Sequence, residues 1–243
     1  PKNWEEAKEI VGLYYDTTAM LDFEIGRLLD FLDERGYRDN TIIVFSTDHG
    51  DMTGAHGGMM DKGLLYEEAH HIPLFISWPK KFSNGVSEEL VMNMDIMPTL
   101  MDFAGISIPK VLDGQSLMPL ILGEDYSESR REAVYMEFHG LRFLYSQRAI
   151  LTEDGFKYIF TPGDYDEVYD LNTDPDEICN IINEPACSQM IDKLRKKIHK
   201  VAVRYNDPLK DCISKFFGKW KTGSGQIDAS KFFESSREEQ DAE

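Results

Sequence analysis

The chain has 243 residues, 42% hydrophobic and 12% aromatic, enough to bury one large domain or one domain with a smaller companion. Its formal net charge of -18 repels nucleic acid and anionic lipid, so neither is an expected partner, and an anionic substrate would need local positive charge from a metal or from selected Lys, Arg and His. No run of about 18 apolar residues occurs, which argues against a membrane-spanning helix, and the three cysteines (Cys179, Cys187, Cys212) lack a C-x-x-C pair, which argues against a thiolate zinc site. An odd, sparse thiol count also speaks against a disulfide framework, although one Cys179–Cys187 bridge stays open.

In chain order, residues 4–35 predict a long amphipathic helix, capped by Asn3 with Glu6 three residues on, and stopped by Gly36. Ile10, Leu13, Tyr14, Leu21, Ile25, Leu28, Leu29 and Leu32 keep a helical period. Thr41-Ile-Ile-Val-Phe-Ser46 reads as a central strand buried on both faces. A polar, Gly-rich loop follows from Thr47 to Gly63, then a short helix over Leu64–Ala69 and a second strand over Pro73–Trp78. A third strand is expected at Leu90–Met94, with Asp95 capping a helix that runs to Phe103 and ends at Gly105.

From about residue 130 the pattern becomes a meander. Strands are expected at Ala133–Phe138, Gln147–Leu151, Lys157–Phe160 and Glu167–Leu171, with Glu153-Asp154-Gly155 turning the middle pair. A helix from about Ala186 to Tyr205 closes this small antiparallel sheet, and residues 206–243 read as a polar, acidic tail. The stretch from Asp164 to Asp170 is acidic, but it lacks the glycine and the spaced glutamate of a calcium loop and reads as a strand with acidic flanks.

The chemistry concentrates between Ser46 and Lys62. Ligands of open α/β sheets bind beyond the carboxyl ends of strands, where this loop begins. Asp48 and His49 are adjacent there, and a carboxylate beside an imidazole can ligate one divalent cation if Gly50 lets the backbone turn. The same pair equally suits an Asp turn with a surface histidine. His56, between Ala55 and Gly57, can donate to an anion or act as a general acid, or be an ordinary loop histidine. Lys62 can neutralise a sulfate or phosphate oxygen, or be a solvated surface lysine. Glu67 and Glu68 read as helix-terminal residues that anchor the loop, since the order and spacing relative to His70 and His71 do not make a zinc helix.

These residues carry a family resemblance. Asp39-Asn-Thr-Ile-Ile-Val-Phe-Ser-Thr-Asp-His-Gly-Asp-Met-Thr-Gly-Ala-His-Gly, then Asp61-Lys-Gly-Leu-Leu-Tyr-Glu-Glu-Ala and Ile72-Pro-Leu-Phe-Ile, resemble the sulfatases of the alkaline phosphatase superfamily. Asn93-Met-Asp-Ile-Met-Pro-Thr-Leu is similar to the family's D-x-x-P-T-L helix, and Leu112-Asp-Gly-Gln-Ser-Leu to its D-G-x-S-L loop. Arg148-Ala-Ile with Phe156-Lys-Tyr-Ile resembles its C-terminal hairpin, and Tyr169-Asp-Leu-Asn-Thr-Asp-Pro-Asp-Glu its Y-D-L-x-x-D-P-x-E turn. The similarity runs in order from about residue 8 to 208.

The resemblance implies an α/β fold: part of an alkaline-phosphatase-like sandwich over 1–130, a small antiparallel sheet plus helix over 131–208, and a polar tail over 209–243. It implies that Asp48 and His49 are the second half of a metal site, usually for Ca2+ and in some relatives for Mg2+ or Mn2+. Lys62 matches the lysine that contacts the sulfate group, although the loop from His49 is one residue longer than the family pattern. His56 matches a loop position near the active site whose role varies. The family's nucleophile, a formylglycine made from Cys or Ser in C-x-P-x-R or S-x-P-x-R, has no counterpart among these residues; none of the cysteines is followed by that Pro and Arg. In the family its aldehyde hydrate attacks sulfur and the hemiacetal then releases sulfate.

The expected function is therefore that of the C-terminal portion of a sulfatase, acting on a sulfated small molecule or carbohydrate together with an N-terminal part of the same protein. This portion alone is expected to be inactive. A phosphonate or phosphate ester hydrolase of the same superfamily, or a non-catalytic fragment, is the alternative. Specificity is expected near His139, Arg142 and Arg148. The absence of glycosylation sequons and the thiol count favour the cytoplasm, whereas an upstream region would hold any signal peptide.

Overall fold

The computed structural model describes residues 3–140 and 145–215. They fall into two compact units, one within 3–134 with 152–154 and the other within 135–151 with 155–215.

The first unit opens with α1 (Trp4–Glu34). The Asn3 side chain accepts hydrogen bonds from the amides of Glu5 (3.0 Å) and Glu6 (2.9 Å), two of the donors a helix start leaves unpaired. At the other end Gly36 turns left-handed (φ 70°), and the Tyr37 amide reaches back to the Leu32 carbonyl at 2.9 Å, a Schellman stop. Ile10, Tyr14, Leu21 and Leu28 lie along one face and are 41–57% exposed, so the apolar period of α1 is real but its stripe faces outward among the described residues.

β1 (Ile43–Ser46) pairs antiparallel with β2 (Leu74–Ser77), Ile43 opposite Ser77 and Ser46 opposite Leu74. The expectation of a central strand buried on both faces is corrected here. Every β1 residue is only partly buried, because the ribbon has two strands and Phe75 of β2 is 65% exposed. Between the strands lie α2 (Ala55–Gly58), a single turn whose His56 and Gly57 are left-handed, and the single-turn helix α3 (Glu67–His70).

The expected strand at Leu90–Met94 is not formed. The Met92 amide donates instead to Asp95 Oδ2 at 2.8 Å, and Asn93–Asp95 is a 3-10 turn leading into α4 (Ile96–Phe103). Asp95 is therefore not the side-chain cap of α4. Fully buried, it accepts from the Gln115 amide at 2.9 Å and from both Arg131 guanidinium nitrogens at 2.6 Å. Gly114 lies against the Met94 carbonyl, where a Cβ would come within 2.1 Å of the oxygen. α5 (Met118–Leu122) follows.

The second unit is built on a sheet of β3 (Ala133–Phe138), β4 (Gln147–Thr152), β5 (Phe156–Phe160) and β6 (Glu167–Asp170), in that order. β4–β5 and β5–β6 are antiparallel, and Gly155 (φ 83°) makes the turn between β4 and β5. Ala149, Ile150, Ile159 and Val168 have no exposed surface. α6 (Ser188–Arg204) buries Ile191, Leu194, Ile198 and Ala202 on one face. The acidic Asp164–Asp170 stretch does hold a strand, and Asp166 Oδ2 accepts the Tyr158 hydroxyl at 2.6 Å.

Two buried ion pairs tie this unit together. Lys157 Nζ sits 2.9 Å from Glu177 Oε1, both fully buried, and Arg148 Nε donates to Asp207 Oδ2 at 2.6 Å. Asp207 falls where the chain was expected to turn into a peripheral tail; instead it anchors the segment that leads to α7 (Lys210–Lys215), whose Ile213 is buried. Most of that expected tail, residues 216–243, lies outside the described residues. The three cysteines are unpaired, so Cys179 and Cys187 form no disulfide. Among the described residues no helix is long and apolar enough to cross a membrane.

Candidate active site

The loop that leaves β1 is pinned at both feet. The Gly50 amide donates to the Ala69 carbonyl at 2.9 Å, and the Gly50 Cα lies so close to α3 that an added Cβ would meet the Glu68 carbonyl oxygen at 1.9 Å. Only glycine fits that approach. Further out the loop is cross-tied by the Met52 amide on the Asp61 carbonyl (2.9 Å) and the Gly54 amide on the Met59 carbonyl (2.7 Å), over buried Met52 and Leu65.

Asp48 and His49 stand at the β1 end of this loop. The Asp48 carboxylate is largely exposed, and its Oδ2 lies 3.4 Å from His49 Nε2. Hydrogen bonding by its own backbone amide first, and the His49 ring and amide after it, hold its carboxyl below the usual range, so it is an ionised oxygen donor. His49 Nδ1 is 2.7 Å from the Gly50 carbonyl oxygen. A carbonyl can only accept, so Nδ1 carries a proton and Nε2 is the ring nitrogen left to ligate a cation. Two donors bound at right angles to one cation, each at about 2.1–2.4 Å, stand about 3.0–3.4 Å apart. The Asp48–His49 pair fits a divalent cation in donor type, tautomer and spacing, with the Gly50 carbonyl orienting the imidazole.

Lys62 lies on the far limb of the same loop, partly exposed, with Nζ 3.9 Å from Asp61 Oδ1. His56 is placed differently from a mobile loop histidine. Its side chain is only 10% exposed and stacks on Tyr66, with ring centroids 3.8 Å apart and planes 7° from parallel. Its Nε2 is 3.3 Å from Glu68 Oε2. Glu67, beside it on α3, lies 3.3 Å from His71 Nδ1. The anchoring expected of Glu68 thus has a partner that spacing did not reveal.

An open cleft of about 710 Å³ runs along the β1 exit. Ser46, Thr47 and Asp48 make its polar edge and Met97, Leu100 and Met101 part of its apolar wall; His56 and Lys62 do not line it. Of the residues expected to set specificity, His139 is exposed beside Glu137 at 3.9 Å, and Arg142 lies outside the described residues. Arg148 is corrected to a buried structural group, because Asp207 and the carbonyls of Phe138 and Gln147 occupy its donors.

Comparison with known proteins bears on this arrangement. The family model described as N-sulphoglucosamine sulphohydrolase, C-terminal, matches residues 54–204, and the sulfatase model matches residues 1–106. An N-acetylglucosamine-6-O-sulfatase of Bacteroides thetaiotaomicron is 35% identical over 201 residues, covering 80% of this chain and 36% of that protein. A solved protein in complex with its substrate D-glucosamine-2-N,6-O-disulfate is 32% identical, with a TM-score of 0.71, over 80% of this chain and 40% of its own. A phosphonate monoester hydrolase of Agrobacterium radiobacter is 28% identical, with a TM-score of 0.73, over 82% of this chain and 42% of its own. The chain thus spans about two-fifths of the length of the relatives it matches. Two overlapping family models cover residues 1–204 in sequence order, and these 243 residues belong to the sulfatase family.

Proposed function

We propose that these residues form the C-terminal portion of an enzyme that hydrolyses a sulfate ester, with Asp48 and His49 as two ligands of its divalent cation. The family implies a divalent cation; we assign calcium, with magnesium or manganese as alternatives, because an ionised carboxylate is a hard oxygen donor. The observation that carries the reading is the Asp48 carboxylate facing His49 Nε2 at 3.4 Å on a strand exit. When bound, the cation would polarise the ester and offset charge developing on its oxygens. Lys62 would add a second positive group on the same loop, as a chain of net charge -18 requires for an anionic substrate. We assign it to the sulfate oxygens.

The substrate class we assign is a sulfated amino sugar. The N-acetylglucosamine-6-O-sulfatase and the protein bound to a glucosamine disulfate support it. The nucleophile, a formylglycine, belongs to the remainder of the same gene product. That remainder also accounts for the outward stripe of α1 and the methionine-lined cleft beside Asp48, which are surfaces that further chain covers.

The test is sulfate release by the full-length gene product from an aryl sulfate and from glucosamine 6-sulfate, with and without chelator. Chelation should abolish turnover, and Asp48→Asn should lower it by about 100-fold or more. An Asp48→Asn variant with wild-type rate and metal affinity would remove the assignment. The likeness to a phosphonate monoester hydrolase favours one second reading: faster turnover of a phenylphosphonate ester than of the sulfate esters would replace sulfate with phosphonate as the substrate group.

A further inference from the structure

We propose that His56 and Glu68 form a positioning clamp that sets where Lys62 stands. The clamp rests on the sulfate-binding role given to Lys62 above. The loop tip is conformationally costly. Thr53, His56 and Asp61 all take left-handed backbone (φ 44°, 48° and 72°), alongside Gly54, Gly57 and Gly58. Each such residue other than glycine is strained and persists only where its surroundings over-determine it.

What over-determines the tip is the His56 side chain. It lies flat on Tyr66 and brings Nε2 within 3.3 Å of Glu68 Oε2. Both atoms are buried and neither makes a hydrogen bond among the described residues, so the close approach to each other is the polar contact they have. A buried donor and acceptor left apart would each forfeit their hydration, so facing each other is the arrangement that stabilises the tip. Glu68 belongs to α3, which is also where Gly50 docks. One short helix therefore holds both the foot of the loop, next to Asp48 and His49, and its tip.

The cross-tie from Met52 to Asp61 passes this constraint to Lys62, the next residue along. A lysine is a point charge on a flexible stem, so its contribution to anion binding depends on where its backbone is held. His56 is nine-tenths covered and stands off the cleft that Asp48 lines, which marks it as a residue acting through the loop rather than on the substrate.

The experiment compares His56→Gln, Glu68→Gln and the double variant in the full-length gene product, by hydrogen exchange and by steady-state kinetics with inorganic sulfate as inhibitor. Exchange at the Gly54 and Met59 amides should quicken in all three variants while β3 and β5 stay protected. KM and the inhibition constant for sulfate should rise about tenfold in each single variant, the loss of one buried polar contact, with kcat within about threefold. The double variant should be no worse than either single one, because both break the same contact. A fall in kcat at unchanged KM would make His56 a catalytic acid and overturn the clamp. Unchanged exchange at the loop amides would overturn it whether or not the protein turns over sulfate. A wild-type protein without sulfatase activity would count against the proposed function alone.

Discussion

Replacing Arg131 with methionine should unfold the first unit at markedly lower denaturant. The Asp95 carboxylate is fully buried and accepts four hydrogen bonds: Arg131 Nη2 and the Gln115 amide on Oδ1, and Arg131 Nη1 and the Met92 amide on Oδ2. Two of the four, and all of the compensating charge seen in these contacts, come from one guanidinium. Methionine fills similar volume but leaves a buried carboxylate with two neutral amides, and stranding one member of a buried pair costs about 3–5 kcal/mol. Urea unfolding of the full-length gene product, followed by tryptophan fluorescence, gives the change from the midpoint at unchanged slope. Arg130→Met is the matched control. Arg130 pairs with Glu89 at 3.0 Å but is 55% exposed, so its loss should cost no more than about 1 kcal/mol. An Arg131→Met variant within about 1 kcal/mol of wild type would show that the carboxylate is not dry, and the reasoning would fail.

The Asp207 carboxyl gives a pH prediction. Burial works against its charge, but hydrogen bonds led by Arg148 outweigh burial and lower it to about 2. Because the folded value lies below the unfolded one, this group's stabilisation is complete above about pH 4 and lost as pH falls towards 2, up to about 2 kcal/mol in all. Asp207→Asn should flatten the acid limb of stability against pH, and an unchanged limb would count against the assignment. Gly114→Ala would drive a Cβ to 2.1 Å from a backbone carbonyl that cannot swing aside. It should destabilise by about 3 kcal/mol or more, and an alanine variant as stable as wild type in the same urea titration would contradict the close approach.

Much of the architecture is local information, and that part was legible. Asn3 and Gly36 bracket α1 because capping uses groups within a few residues of the helix end. Glu153-Asp154-Gly155 gave the β4–β5 turn for the same reason, and the period of Ile191, Leu194 and Ile198 gave α6 its buried face. The failures are long-range. Leu90–Met94 has the composition of a strand, but a carboxylate fixed by Arg131, 36 residues on, takes the Met92 amide that a ladder would have used. Asp207 looks like a tail residue until Arg148, 59 residues away, is placed beside it.

The site divides along the same line. Asp48 and His49 stand out as candidates because they are adjacent at a strand exit, and the structure places their side chains 3.4 Å apart. What sequence left open was which ring nitrogen is turned towards Asp48. A single hydrogen-bond partner, the Gly50 carbonyl, decides that. His56 shows the opposite case. Its glycine neighbours invite a reading as mobile and chemically available, yet those glycines let the backbone fold the ring inward onto Tyr66 and Glu68. Flexibility encoded in the chain became rigidity in the fold, because left-handed turns permit a contact that no spacing rule over 12 residues would forecast. The consequence is specific: the loop places Asp48 and His49 at its foot and Lys62 on its far limb, none of them in regular secondary structure.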